Sequence, residues 1–397
     1  MKILVVSHLY PSPGVERHLF VHEQTRALAA LGVEAAVLSP TPYAPRWLWA
    51  DAKQRRRGQK PARAERDGIV AWYPRFAQPP RRLLFHRLGD LAHLSVRRRL
   101  PALRAAGFDL VHAHQALPDG ALAQRLGADL AVPYVVTVHG ADVYQHLRAR
   151  GPVHDRAAAV LGGAAAVMAN SSTVARLLAP VVPPDRLHVI LNGTTGLEEP
   201  VDPAADFVPG EDLILTVGFL IPRKGHATLV EALGLLAQRG LRPHWALVGE
   251  GPLQASLEAR AQALGLASQL HFLGRLPHRR VLALMKRAQL FALPSWDEAF
   301  GLVYTEAMAQ GTPVVACAGE GPQDFIDDGV SGFLAPARDA TALAGIIAGV
   351  LTDPEAAARV GQAGRAAAAA LTWERNAGRT LAVYREVVPG VTREDGR

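Results

Sequence analysis

The chain has 397 residues, 49% of them hydrophobic and 6% aromatic, with 36 glycines, 29 prolines and a formal net charge of +7. The length points to two domains and the balance to a soluble α/β protein. The opening apolar run, Met1 to His8, is too short for a signal peptide, and no stretch approaches a membrane span. The single cysteine, Cys317, lies in an apolar strand and reads as a buried thiol in a reducing cytosol.

Charge is unevenly spread. Between Arg46 and Arg104, 16 Lys and Arg face 4 Asp and Glu, and the remainder of the chain is mildly acidic. Lys2 to Ser7 reads as a buried strand opening into a loop from His8 to Gly14. Val21 to Leu31 reads as a helix capped by Gly32, and Val33 to Leu38 as the next strand. Strand, helix, strand implies a right-handed crossover and a parallel sheet. No G-x-G-x-x-G follows the first strand, which argues against a nicotinamide enzyme.

Ile69 to Tyr73 is another strand. Arg81 to Leu100 is expected to be helical, with Leu84, Leu88 and Leu91 on one side and arginines elsewhere. Asp109 to His114 is a strand whose His112 and His114 share a face. Such a pair can ligate metal, but no third ligand accompanies it at the usual spacing. The preferred reading is two histidines at a cleft edge. The strand Pro133 to Val138 runs into His139-Gly140-Ala141-Asp142, just past a carboxyl end, where parallel sheets bind ligands. Asp142 also reads as a cap. Ala165 to Asn170 is a strand, Ser171 to Leu178 a capped helix, and His188 to Asn192 the last strand of this half.

Thr194 to Asp212 is rich in Pro, Asp and Glu without periodicity and reads as a linker. The strand Leu213 to Val217 leads to Gly218–Gly225 and a helix ending at Arg239. Lys224 sits at that helix N-terminus, a flexible point charge suited to a phosphate. His244 to Val248 ends in Gly249-Glu250-Gly251-Pro252. The strand Gln289 to Leu293 is stopped by Pro294-Ser295. A turn, Asp297 to Gly301, feeds a helix from Leu302 to Gln310, with Gly311 as its C-cap and Pro313 beyond. Free N–H groups and the positive dipole end at such a turn suit a phosphate. Glu306 on the helix suits paired ribose hydroxyls and Glu298 in the turn suits a sugar; the plainer reading is a capping acid and an exposed face. Gly319 to Asp324 is a further glycine-rich loop. Two helices, Asp353 to Ala370 and Trp373 to Val388, follow. No Asp-x-Asp triplet occurs, so a metal-bound diphosphate is not indicated.

The string from Pro294 to Val315 resembles the signature of the retaining glycosyltransferases of family 4, P-S-x-x-E-x-F-G-x-x-x-x-E-A-M-A-x-G-x-P-V-V, with Glu298 and Glu306 in register. Thr137, His139, Gly140 and Asp142 match T-x-H-G-x-D. Gly249, Gly251 and Pro252 match G-x-G-P, and Leu270 to Leu276 is similar to the stretch that reads the nucleobase. The resemblance implies the α/β GT-B fold, two Rossmann-like doubly wound domains facing a cleft. Residues 1–195 would form the acceptor domain, 196–211 the linker, 212–370 the nucleotide-sugar domain, and 371–397 a helix crossing back to the first domain.

It further implies His139, Asp142 and Glu298 as catalytic residues. Arg223, Lys224, Gly249, Gly251, Arg275, Leu276, Glu298, Gly301, Leu302, Val303 and Glu306 would bind the donor, and Gly14 and His18 would lie on the acceptor-side loop. Two positions depart from the family pattern: Phe219 stands where it has an arginine and His18 where it often has a glycine.

The expected reaction is transfer of a hexosyl group from a nucleotide-diphosphate sugar to an acceptor hydroxyl, with retention and with neither metal nor other cofactor. A glycan or lipid-linked acceptor and a cytoplasmic location at the inner face of the plasma membrane are implied. The arginine-rich segment would contact anionic lipid peripherally; the plainer reading of any such charge run, Arg55-Arg56-Arg57 above all, is a solvated charged face. Nucleic acid is not expected, since no binding motif or aromatic interleaving accompanies the arginines. Two other readings stay open: a non-catalytic sugar- or nucleotide-binding protein of the same fold, and a nucleotide-sugar epimerase.

Overall fold

A computed structural model describes residues 1–13, 19–45, 52–79, 83–194 and 212–388. The chain divides into two compact units, Met1–Gly193 with Trp373–Arg397, and Thr194–Thr372.

In the first unit β1 (Lys2–Val6), α1 (Leu19–Ala30), β2 (Glu34–Leu38), the short β3 (Thr41–Pro42) and α2 (Ala52–Gln59) precede β4 (Arg63–Arg66), β5 (Ile69–Trp72) and β6 (Arg75–Phe76). Then come α3 (Leu88–Val96), α4 (Leu100–Ala105), β7 (Leu110–His114), α5 (Ala121–Leu130), β8 (Tyr134–Val138), α6 (Pro152–Gly162), β9 (Ala166–Ala169), α7 (Ser172–Leu178) and β10 (Leu187–Val189). Eight of these strands form one sheet in the order β10-β9-β8-β7-β1-β2-β5-β4. Only the β4–β5 pair is antiparallel. β7 and β8 are buried throughout, as strands covered on both faces must be. α7 starts where Ser171 Oγ accepts the Val174 N–H at 3.1 Å, so the Asn-Ser-Ser phrase is a helix cap.

The second unit runs β11 (Leu213–Val217), α8 (His226–Gln238), β12 (His244–Val248), α9 (Gln254–Ala263), β13 (Leu270–Gly274), α10 (His278–Arg287), β14 (Leu290–Ala292), α11 (Leu302–Ala309), β15 (Val314–Cys317), β16 (Phe333–Ala335), α12 (Ala340–Thr352) and α13 (Pro354–Ala369). Its six strands are all parallel, in the order β13-β12-β11-β14-β15-β16. Buried polar bonds tie the middle of this sheet: Trp245 Nε1 donates to Thr216 Oγ1, which donates to the Ala292 carbonyl.

α14 (Trp373–Val387) belongs to the first unit. It lies along α1, where Gln24 Nε2 donates to Asn376 Oδ1 at 2.6 Å and Asn376 Nδ2 donates to the Leu191 carbonyl at 2.8 Å. Trp373, Leu381 and Tyr384 complete the core begun by Ile3, Val5 and Leu28.

The single helix expected from Arg81 to Leu100 is replaced by a broken path. A 3-10 turn at Phe85–Arg87, α3, a second 3-10 turn at Arg97–Arg99 and α4 succeed one another. Pro101 explains the last break: it has no N–H to continue a helix and instead opens a new one. Leu84 has a left-handed backbone (φ 54°) and is exposed, so the buried stripe is Leu88, Ala92 and Val96 rather than Leu84, Leu88 and Leu91. Arg81, Arg82, the residues 195–211 that include the expected linker, and 389–397 at the chain end lie outside the described residues.

Candidate active site

In the second unit the strand order reverses between β11 and β14, and a parallel sheet takes its ligand outside the carboxyl ends of the strands at such a point. The loops that follow these two strands carry Lys224 and Glu298. They are locked together by backbone. Gly225 has φ 75°, and a Cβ there would sit 2.0 Å from the Pro294 carbonyl oxygen, so only glycine lets the loops approach. The Trp296 N–H donates to the Arg223 carbonyl at 2.9 Å, and Arg223 Nη1 donates to the Asp297 carbonyl at 3.1 Å.

Across this seam Lys224 Nζ donates to Glu298 Oε2 at 2.5 Å, and Ser295 Oγ donates to the same oxygen at 2.9 Å. Burial by itself would favour the neutral acid. The Lys224 charge and hydrogen bond, with Ser295, outweigh it and hold the Glu298 carboxyl below the usual range. Glu298 is therefore an acceptor only, and Oε1 makes neither of these bonds. The turn is gripped from behind by Glu320, whose two oxygens accept the N–H groups of Asp297 (3.1 Å) and Glu298 (2.9 Å), while the Gly321 N–H donates to the Glu298 carbonyl. Gly301 (φ 82°) then turns the chain into α11, leaving the N–H groups of Gly301, Leu302 and Val303 at a helix start without intrahelical acceptors.

Neighbouring strand ends complete this edge. Gly249 has φ 144°, and a Cβ there would lie 1.9 Å from the Gly218 carbonyl oxygen; at Gly251 it would meet the Leu220 backbone at 2.4 Å. Both glycines are close-approach positions. The Gly249 N–H donates to the Gly274 carbonyl, joining the ends of β12 and β13. Arg275, just past β13, pairs with Glu250 at 2.8 Å, and half-buried Leu276 packs on the core beneath. Glu306, about one turn into α11, lies 3.4 Å from His278 at the start of α10. Phe219 is 58% exposed and supplies no charge where the family pattern has arginine.

The first unit has its own reversal, between β1 and β7. His8, after β1, meets Asp119, beyond β7: the His8 N–H and Nδ1 both bond the fully buried carboxylate, at 3.0 Å and 2.8 Å. Burial lowers the His8 pKa, but the Asp119 charge and hydrogen bond prevail and raise it. His139, after β8, is half-buried, with Nε2 2.9 Å from His114 Nδ1 and its ring 4.7 Å from that of Phe20. Asp142 is wholly buried and accepts the Ala116 N–H at 2.5 Å and the His139 N–H at 3.4 Å. Its place is that of a cap holding the His139 loop. Gly14 and His18 lie outside the described residues. Among the described residues no group of three or more His, Cys, Asp or Glu is arranged to hold a metal ion.

Two family models together span nearly the whole sequence: Glycosyltransferase Family 4 matches residues 14–195 and Glycosyl transferases group 1 matches 200–367. The chain belongs to the group 1, family 4 glycosyltransferases. This glycosyltransferase is 32% identical to a D-inositol 3-phosphate glycosyltransferase of Acidothermus cellulolyticus over 73% of its own length and 70% of the relative's. It is 29% identical to a putative teichuronic acid biosynthesis glycosyltransferase, TuaC, of Bacillus subtilis, over 79% and 80% of the two chains. Among solved structures it shares its fold with Anabaena Alr3699/HepE in complex with UDP and glucose, at a TM-score of 0.70 and 22% identity, covering 96% of this chain and 99% of that one.

Several groups at the strand ends of this glycosyltransferase carry no local sequence signal. Asp119, His278 and Glu320 each act on a partner 22 to 111 residues away. Of these, Glu320 alone lies in a loop that the sequence marks, the glycine-rich Gly319 to Asp324, and nothing in that loop's composition shows that its carboxylate takes the N–H groups of Asp297 and Glu298.

Proposed function

We propose that the protein is a retaining, metal-independent hexosyltransferase. It moves a sugar from a nucleotide-diphosphate sugar to a hydroxyl of a glycan or lipid-linked acceptor, in the building of a cell-envelope glycan. The observation that carries this reading is the Lys224–Glu298 pair on the two loops at the strand reversal of the second unit, beside the open helix start at Gly301–Val303. An ammonium group has three N–H donors, and one is committed to Glu298; the others serve the donor's diphosphate as negative charge develops on the leaving group. Glu298 Oε1 accepts sugar hydroxyls and Glu306 the ribose hydroxyls. Arg275 and Leu276 stand where the base is read. In the first unit His139 contacts the reacting group, held there by Asp142. The relative named for teichuronic acid and the neighbour bound to UDP and glucose support this assignment of substrate class.

Thermal denaturation against UDP-, GDP- and ADP-sugars tests the donor: a ligand at 100 times its dissociation constant stabilises by about 2.7 kcal/mol. Incubation of the stabilising donor with candidate acceptors in the presence of EDTA, followed by NMR of the product anomer, tests the rest. Inverted product, or loss of transfer in EDTA, contradicts the mechanism. Turnover of donor to its epimer without acceptor favours the epimerase.

A lipid-linked acceptor is supported by exposed groups of the first unit. Leu94 of α3 is exposed, as are Arg97, Arg98 and Arg99 just beyond it and Leu83 and Leu84 ahead of it. Exposed leucines with adjacent cations suit the headgroup region of an anionic membrane.

A further inference from the structure

Lys60 stands at the strand-end edge of the first unit. β4 runs antiparallel to β5, with Arg63 opposite Trp72, so the residues leading into β4 lie at the carboxyl end of β5. The Tyr73 N–H, just past that end, donates to the Ala62 carbonyl at 3.0 Å. His8 follows β1 and Asp119 follows β7 at the same edge. A parallel sheet takes its ligands along such an edge.

Arg75 fixes how Lys60 arrives. Its guanidinium donates to the carbonyls of Gly58 (3.0 Å) and Lys60 (2.6 Å) and to that of Arg57, clamping the last turn of α2 and the residue beyond it. The half-buried Lys60 side chain then lies over the Tyr73 ring, with Nζ 5.1 Å from the centroid. Tyr73 is itself buried, and its hydroxyl donates to the Pro11 carbonyl at 2.6 Å, which ties the ring to the loop after β1.

An aromatic face attracts a cation without neutralising it. Among the described residues no carboxylate pairs with Nζ, and no carbonyl or hydroxyl accepts from it. Asp119, whose charge reaches Lys60, is committed to the N–H and Nδ1 of His8. Burial first, then the Arg75 and Arg57 charges, lower the Lys60 pKa to about 8 against the pull of Asp119. The ammonium keeps its proton at neutral pH, half out of water and beside two further cations. A compact anion with several acceptor oxygens would satisfy its N–H donors and offset the arginines. A phosphate is such a group; a neutral sugar hydroxyl brings no charge.

We infer that Lys60, beside Tyr73 and the His8–Asp119 pair, forms an acceptor subsite that holds a phosphate group of the acceptor. The inference rests on the glycosyltransferase reading given above, with the acceptor on the first unit.

The test uses the full-length chain. It has only five lysines, so with lysine isotopically labelled at Cε each NMR signal can be assigned from a Lys→Arg variant. The Lys60 signal is expected to titrate near pH 8 in the free protein. Inorganic phosphate should move that midpoint up by about one unit, a tenfold preference of the ligand for the charged lysine. Phosphate taken by the donor loops reports separately, at Lys224. Calorimetry with glycerol phosphate and farnesyl phosphate, the donor loops being filled with free nucleotide, then gives affinities. Lys60→Met is expected to bind both about 10-fold more weakly or worse, and Lys60→Arg to retain most of the affinity. Tighter binding of farnesyl phosphate assigns the group to a lipid-borne acceptor, and tighter binding of glycerol phosphate to a soluble one. Inorganic phosphate should inhibit transfer in competition with the acceptor in the unaltered protein.

A Lys60 signal that none of the three phosphates moves overturns the inference, and that measurement needs no variant to fold. So does a Lys60→Met variant that binds them as the unaltered protein does, or inhibition by phosphate in competition with the donor alone. Failure of the functional reading looks different: phosphate would still move the Lys60 signal, but no nucleotide-sugar would stabilise the protein against heat.

Discussion

Nζ of Lys224 lies 2.5 Å from Oε2 of Glu298, with only 12% and 11% of the two side chains exposed. Removing one member of such a pair leaves the other charge buried and uncompensated, whereas removing both does not. Lys224→Met is expected to lower the unfolding free energy by about 3 kcal/mol, and the double variant Lys224→Met/Glu298→Gln to recover part of that loss without recovering transfer. Urea denaturation of the unaltered protein and the two variants checks it. A double variant less stable than Lys224→Met would show that the pair is not coupled in this way.

Glu298 and Glu306 stand on the same turn-and-helix element but meet different surroundings, one beside Lys224 and the other beside His278. Glu306→Ala is expected to weaken nucleotide binding, and Glu298→Ala chiefly to lose turnover. Calorimetric titration with the free nucleotide, alongside kcat, separates the two. Equal loss of nucleotide affinity in both variants would contradict the assignment.

The two adjacent cations differ in what they already hold. Arg223 donates to the Asp297 carbonyl within the seam, while Lys224 faces the buried acid. Lys224→Ala is expected to lower kcat/KM by the equivalent of about 2.7–4 kcal/mol, the cost of a lost donor to developing charge, and Arg223→Ala by much less. A more damaging Arg223→Ala would mean that Arg223 stands in for the arginine absent at Phe219.

Histidine burial predicts a pH dependence with a definite sign. His112 is pushed down to about 3 by burial and by the nearby His139. Its folded pKa lies below its unfolded one, so the unfolded chain binds the extra proton first. The stability conferred by neutral His112 is full above about pH 6.5 and falls as pH drops from there toward 3, by about 1.4 kcal/mol per unit. Glu298 works in a lower window: its lowered pKa gives stability that is full above about 4.5 and is lost as pH falls further. Melting temperature is expected to fall between pH 6.5 and 4.5, with a smaller slope in His112→Gln. An identical slope in that variant would assign the loss to other groups.

At low salt the protein is expected to float with anionic liposomes and to be released as salt is raised, since each cation near the surface contributes about 1 kcal/mol. Charge reversal at Arg97 and Arg98 should reduce the bound fraction. Protein that stays wholly in solution at low salt would point to a soluble acceptor.

Local pattern was enough to read much of this protein. Alternation of short apolar strands with helices, Gly311 past the end of α11 and Ser171 before α7 depend on residues within a few positions of one another, and the α/β fold followed from them. The spacing of Glu298 and Glu306 also placed both acids on one turn-and-helix unit. The broken path from Phe85 to Ala105 was misjudged because leucine spacing can be satisfied by two short helices as readily as by one long one, and the core chooses which leucines it covers.

What pattern could not supply is who faces whom across the sheet. Lys224 and Glu298 are 74 residues apart, His8 and Asp119 111, and His112 and Tyr384 272. The loops meet because the strand order reverses between β11 and β14 and between β1 and β7, and strand order is set by how the helices pack on both faces. The charges that such meetings bury, and the protonation states that burial enforces, follow from tertiary packing, because a side chain's solvation depends on everything folded around it.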